Sequence, residues 1–236
     1  MQAFNKLKTV SQSGDILRVV IGIVVFGSIW GLVEATLGGF LHLIHFTYKG
    51  AITGGIAMAI MAAFVVTYRR PKFVFWLGVI AALFKPLSAA IYGQPIFAPF
   101  VVNPASAILL EALAFTLVVS LLFKGFESSL KTRIATGISA GYLSAILYAI
   151  LASALGMGNW ASWGPTEIVT AALTDGTALA VAGTCLVLLG HLVSTKLRPN
   201  LWQLMTVKPK AFYASNIAIT AFCWIVAALG FKQGLW

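Results

Sequence analysis

Apolar residues in this chain run in long unbroken stretches rather than in the short alternation of a half-buried strand or the one-sided periodicity of a surface helix. Seven stretches stand out: residues 16–45, 51–68, 73–92, 104–123, 134–155, 166–195 and 212–231. Each is close to or above the roughly 20 apolar residues that cross a bilayer. The first and sixth exceed that length, so they are expected to tilt or to project from the membrane. In lipid every backbone polar group needs an internal partner, which leaves a helical bundle as the economical fold. The pattern therefore predicts an all-α, polytopic membrane bundle of about seven transmembrane helices. The seventh stretch could be an appendage to a six-helix core. No polar linker, low-complexity tract or internal repeat divides the chain, so residues 1–236 read as one transmembrane domain.

Composition agrees. Hydrophobic residues make up 60% of the chain and charged residues only 9%, against about 25% charged in soluble domains. Mean hydropathy is +0.95. The first stretch is too long for a signal-peptide core and is expected to be retained. A net charge of +10 would fit nucleic-acid binding if it were spread over a soluble surface, but the basic residues sit in alternate connections instead. Lys6, Lys8 and Arg18 precede the first stretch. Arg69, Arg70 and Lys72 fill the second turn, Lys124, Lys131 and Arg133 the fourth, and Lys196, Arg198, Lys208 and Lys210 the sixth. The other connections carry almost none, Lys49 and Lys232 excepted. Such alternation places the N-terminus in the cytoplasm and the C-terminus outside. The expected location is an inner or plasma cell membrane, with multiple passes.

Four ionisable residues lie inside the apolar stretches: Glu34, Lys85, Glu111 and Asp175. A charge in hydrocarbon costs about 2.5 kcal/mol or more, so such residues face a cavity or a partner and mark function. At 1.5 Å per residue, Glu34 lies roughly 25 Å from the inner start of its helix and Lys85 roughly 18 Å along the third. Glu111 lies roughly 10 Å, and Asp175 roughly 13 Å, from the outer starts of the fourth and sixth. All four then fall between the midplane and the outer surface. One explanation is a set of buried interhelical ion pairs, with Lys85 on one acid, or of neutral, protonated carboxyls bonded between helices. The other, preferred here, is a polar cavity open to the outside.

Flanking residues extend that picture. Pro86 frees a backbone carbonyl near Lys85, and Ser88 and Tyr92 follow on the same helix. The uncharged outer loop 93–103, with Gln94, Pro95 and Pro99, could fold back as a lid. Asn103 and Pro104 suit the N-cap and first turn of the fourth helix, whose dipole would favour an anion or carbonyl there. The outer loop 156–167 holds Trp160 and Trp163, either stacking on a planar ligand or forming an interfacial aromatic belt. Small residues Gly27, Gly31, Ala35 and Gly39 form one face of the first helix, fit for another helix of this chain or for a partner subunit. Gly137 and Gly141 repeat that spacing in the fifth.

No cofactor or metal site is expected. His42 and His45 lie near the outer end of the first helix and His191 near the inner end of the sixth, so the three cannot share an ion. Cys185 and Cys223 have no CxxC spacing and read as core residues. There is no P-loop, GxSxG or HExxH motif. The three acids could serve acid–base chemistry, but no nucleophile accompanies them, and the chain reads as a non-enzyme.

The segment Gly27-Ser-Ile-Trp-Gly-Leu-Val-Glu-Ala-Thr-Leu-Gly, the stretch Ala-Leu-Phe-Lys-Pro-Leu around Lys85, and Asn103-Pro104 followed by Glu111 resemble the substrate-binding S-components of energy-coupling-factor (ECF) vitamin transporters. The resemblance covers the first four helices. It implies a six-helix core that captures a vitamin, precursor or metal ion from outside, and a membrane scaffold subunit with two ATPases as partners. It also implies that Gly27, Gly31 and Ala35 touch that scaffold. Under this reading Glu34, Lys85, Tyr92, Asn103, Glu111, Trp160, Trp163 and Asp175 hold the solute. Two other classes remain open: an ion-coupled secondary transporter using the four charges as a relay, and an assembly subunit using them for interhelical pairing.

Overall fold

The computed structural model describes the backbone of residues 2–234 and the side chains of residues 16–234. The basic residues Lys6 and Lys8 lie outside the described side chains. Eight α-helices and two 3₁₀ turns follow one another: α1 (Gln2–Leu43), α2 (Lys49–Tyr68), a turn at Pro71–Phe73, α3 (Phe75–Ala82), α4 (Phe84–Ile91), α5 (Pro99–Ser128), α6 (Leu130–Ala154), a turn at Gly158–Ala161, α7 (Pro165–Val207) and α8 (Pro209–Lys232). No strand occurs among the described residues. Seven helical units are long and apolar enough to cross a membrane, with Pro71–Ile91 counting as one. The protein is an all-α, multi-pass membrane bundle.

Three elements differ from the sequence expectation, each for a local reason. The third span is two helices meeting at Leu83. Pro86 has no N–H to give to the carbonyl four residues back, and its ring crowds that turn. The fourth helix begins at Pro99, not Pro104: Ala98 is extended (φ −61°, ψ 144°) and Pro99 occupies the first helical turn. A residue before proline is pushed to extended backbone, and Pro99 offers the same start signal one turn earlier. Asn103 is therefore inside α5 rather than at its N-cap, and Pro104 is an interior proline. The sixth span continues as helix through the basic segment to Val207, across Pro199. Apolarity marks the membrane-length part; Lys, Arg, Leu, Gln and Met beyond it still favour helix.

The helices pack unevenly along the bundle axis. α7 lies chiefly against α2 and α6, α5 against α6 and α3, and α1 against α3, α2 and α8. Met58, Met61, Phe64, Val65, Leu77, Phe115, Val119 and Phe126 form a fully buried core. All but Met58, at the middle of α2, belong to the halves of their helices next to the basic turns. At that end Thr67 and Ser194 hydroxyls bond at 3.0 Å, Arg69 pairs with Glu127, and Arg133 donates to the Phe126 and Glu127 carbonyls at 2.9 Å. One end of the bundle is thus solid.

Glycines set the helix spacing. A Cβ on Gly137 or Gly141 of α6 would come within 2.6 Å of backbone atoms of Thr184 or Ala180 on α7, and one on Gly190 of α7 would collide with the Ala59 carbonyl on α2. The small face of α1 is likewise filled from within. A Cβ on Gly27 would lie 2.6 Å from Ile80 Cβ, one on Gly31 would strike the Phe84 ring, and Ala35 clusters with Phe84, Cys223, Ala227 and Phe231. This face packs on α3, α4 and α8 of the same chain. α8 is tied in by Trp224, whose Nε1 donates to Ser28 Oγ at 3.0 Å and whose ring stacks on Phe84 at 4.3 Å.

Gly190→Val is expected to destabilise the protein in detergent by about 1–3 kcal/mol through overpacking against backbone. Gly50→Ala, where nothing lies within 4 Å, should leave the thermal midpoint unchanged. Equal midpoints for the two variants would contradict the close α2–α7 approach.

Candidate functional site

The other end of the bundle is hollow. A cavity of about 860 Å³ lies among α1, α2, α4, α5, α6 and α7, bordered by Trp160 and, from α8, by Phe231. Its walls come from the helix halves remote from the basic turns. Ile108 and Leu179, members of the main apolar core, form part of its floor. Here the helices carry small residues, Ala35, Gly38, Gly39, Ala107, Ala145, Ala172 and Ala178, where the solid end carries Phe, Met and Val.

All four intramembrane ionisable residues reach this wall, as do Tyr92, Asn103 and Trp160. The proline-induced break between α3 and α4 precedes Lys85; Ser88 Oγ donates to the Lys85 carbonyl at 2.7 Å, satisfying one acceptor there. Because α5 starts at Pro99, Asn103 presents its side chain on the wall as a mid-helix residue instead of capping the helix. Of the uncharged loop 93–103, Pro99, Phe100 and Asn103 border the cavity, and residues 93–98 do not. Ile96 and Phe97 stand exposed, so the segment is not folded over it as a lid.

Glu34 and Glu111 both border the cavity near the start of α2. A Cβ placed on Gly38 of α1 would lie 3.4 Å from Glu34 Oε2 and 3.6 Å from Thr53 Cγ2 of α2, and one on Gly54 of α2 would lie 2.8 Å from Glu111 Oε1. Trp30 Nε1 donates to Glu34 Oε1 at 3.4 Å. Glu111 Oε2 is buried and has no hydrogen-bond partner. A buried, unsatisfied carboxylate oxygen costs more than the 1–3 kcal/mol typical of neutral groups. Among the described residues, neither Lys85 nor any of the three acids forms a salt bridge. The interhelical ion pairs considered from sequence are not how these charges are held.

Asp175 differs from the other acids. It is exposed, and it borders both the cavity and a shallow groove formed by Trp163, Thr166, Glu167, Thr170 and Thr174. Thr170 and Thr177 bond back to their own helix at 2.8 and 2.7 Å, the ordinary use of threonine in a helix. Trp163 is not on the cavity wall. It lies in this groove and packs on Trp160, centroids 4.8 Å apart.

Several wall residues gave no signal in the sequence. Tyr148 meets Trp160 edge-on at 6.0 Å and 87°, and Ser144 lies one turn below it on α6. Their spacing of four on the uncharged stretch 134–154 of α6 was the available hint. Lys49 and His42 share a hydrogen bond of 2.8 Å at the rim; His45 lies in the following turn and His191 at the solid end, beside Phe126. Among the described residues no three His, Cys, Asp or Glu side chains gather closely enough to hold a metal ion.

Comparison with protein-family models, with curated proteins and with solved structures finds no match. The geometry of the cavity carries the functional argument.

In a variant with both native cysteines replaced by alanine, Ala145→Cys on the cavity wall is expected to react with a membrane-impermeant thiol reagent added from outside. Ile150→Cys, on the exposed apolar face of α6, should stay unlabelled in lipid. Labelling of Ala145→Cys from the cytoplasmic side alone would contradict an outward-facing cavity.

Proposed function

We propose that the protein is a membrane-embedded solute-binding and translocation subunit that captures a small polar or aromatic solute, of the vitamin or precursor class, from the outer side. The observation that carries this reading is the convergence of Glu34, Lys85, Glu111 and Asp175 on one cavity with no salt bridge among them. Charged side chains without internal partners in a bundle interior are the mark of a substrate or ion path. The volume falls within the roughly 300–1,000 Å³ of small-molecule sites, and a mainly apolar wall with a few placed polar groups is their usual make-up. Outer-side capture follows from the basic turns, which assign the solid end to the cytoplasm.

The sequence contains no nucleotide-binding motif, so ATP-driven release into the cell would fall to a partner. An ATPase-bearing membrane scaffold, as in the S-component systems that the first four helices resemble, is the proposed arrangement. Gly27, Gly31 and Ala35 are not proposed as its docking face, because this chain's own helices occupy them.

A second reading has its own support. Two carboxylates on one cavity wall, Glu34 and Glu111, the second with an unpartnered oxygen, would also suit a proton- or ion-coupled carrier.

Small molecules released by denaturing the purified protein are expected to include one species stoichiometric with the wild type and at least tenfold depleted in Glu111→Gln. Its accumulation in membrane vesicles should require ATP. Accumulation that ignores ATP and collapses with an uncoupler favours the ion-coupled carrier. No such species in either protein contradicts the solute-binding reading.

A further inference from the structure

We infer that the cavity takes a dipolar solute, with a cationic or N–H-rich nitrogen group at one end and a carboxylate or carbonyl at the other. This rests on the solute-binding reading and gives that solute its charge pattern.

The wall itself is unbalanced. Three carboxylates, Glu34, Glu111 and Asp175, face two lysines, Lys49 and Lys85, a difference of one negative charge. Lys49 is engaged at the rim by His42 Nδ1, and since an ammonium only donates, that nitrogen is the acceptor. Lys85 therefore stands as the wall's one lysine without a bonded side-chain partner among the described residues.

Each charge sign on the wall then specifies its complement. Ionised carboxylates only accept hydrogen bonds. Glu34 and Glu111 line the same cavity, and two like charges sharing a site are unfavourable until a cation or proton joins them. Glu34 has one weak donor, Trp30; Glu111 Oε2 has none. The group that satisfies this pair must donate, and a positive charge serves best. Lys85 can only donate, so its complement is an acceptor, best an anion. On the same wall Ala107, Ile108 and Leu179 offer apolar surface, and the Tyr148–Trp160 pair offers ring faces and edges to a flat body.

Three probes on one ring separate the charge patterns: 4-(aminomethyl)benzoate (dipolar), benzylamine (cation only) and 4-methylbenzoate (anion only). Their binding to the full chain in nanodiscs is read by calorimetry. The dipolar probe is expected to bind at least tenfold more tightly than 4-methylbenzoate. Glu111→Gln should weaken both amines tenfold or more while leaving 4-methylbenzoate within twofold, and Lys85→Met should weaken the two carboxylates. Glu34→Gln, expected to show the Glu111→Gln pattern to a lesser degree, serves if that variant does not fold. If 4-methylbenzoate binds as well as the amines, or both glutamine variants leave the amines unchanged, the dipolar inference is overturned while the solute site stands. If no probe binds the wild type at millimolar concentration, the inference and the solute-binding reading fall together.

Discussion

The cost of holding Glu34, Lys85, Glu111 and Asp175 within a membrane governs how this bundle is built. Charges at such depths survive when they pair, when they reach water, or when a ligand meets them. Here pairing is not used. The helices instead diverge around the four residues, and small side chains on the facing walls keep the space open. That hollow requires a counterpart, since a loosely packed bundle would close on it. The solid half supplies the counterpart: Phe64, Phe115 and Phe126 fill the axis, while Gly137, Gly141 and Gly190 bring α2, α6 and α7 to backbone contact.

The division between solid and hollow halves also explains why particular breaks in regularity fall where they do. Pro86 splits the third span just beside Lys85, and Pro99 starts α5 early enough to place Asn103 and Glu111 on the same wall. Both prolines act on the hollow half of the bundle, next to residues of the cavity wall. The eighth helix is more than an appendage: Phe231 closes part of the cavity, and Trp224 anchors α8 on α1 and α4.

Much of this was legible in the sequence. Span number follows from apolar run length, and the common depth of the four charges follows from rise per residue and alternating basic turns. What was not legible is azimuth and boundary. Gly27, Gly31 and Ala35 showed a face built for close approach, but not which helix would approach it. Trp163 and Trp160 are three residues apart, yet only Trp160 reaches the cavity, because the short turn at Gly158–Ala161 sends the two rings to opposite sides of one stack. Tyr148 and Ser144 carry no charge and so gave no sign. The start of α5 was ambiguous because Pro99 and Pro104 are both competent first-turn residues, and the extended backbone at Ala98 decides between them.

The most direct test is a side-chain-resolution density map of the protein in nanodiscs. The account predicts an ordered, non-lipid density in the hollow half, within hydrogen-bond distance of Glu111 and reaching toward Lys85, with Glu34 on the same wall. A cavity collapsed or filled by an acyl chain, or carboxylates of Glu34 and Glu111 turned to separate helix interfaces, would contradict it.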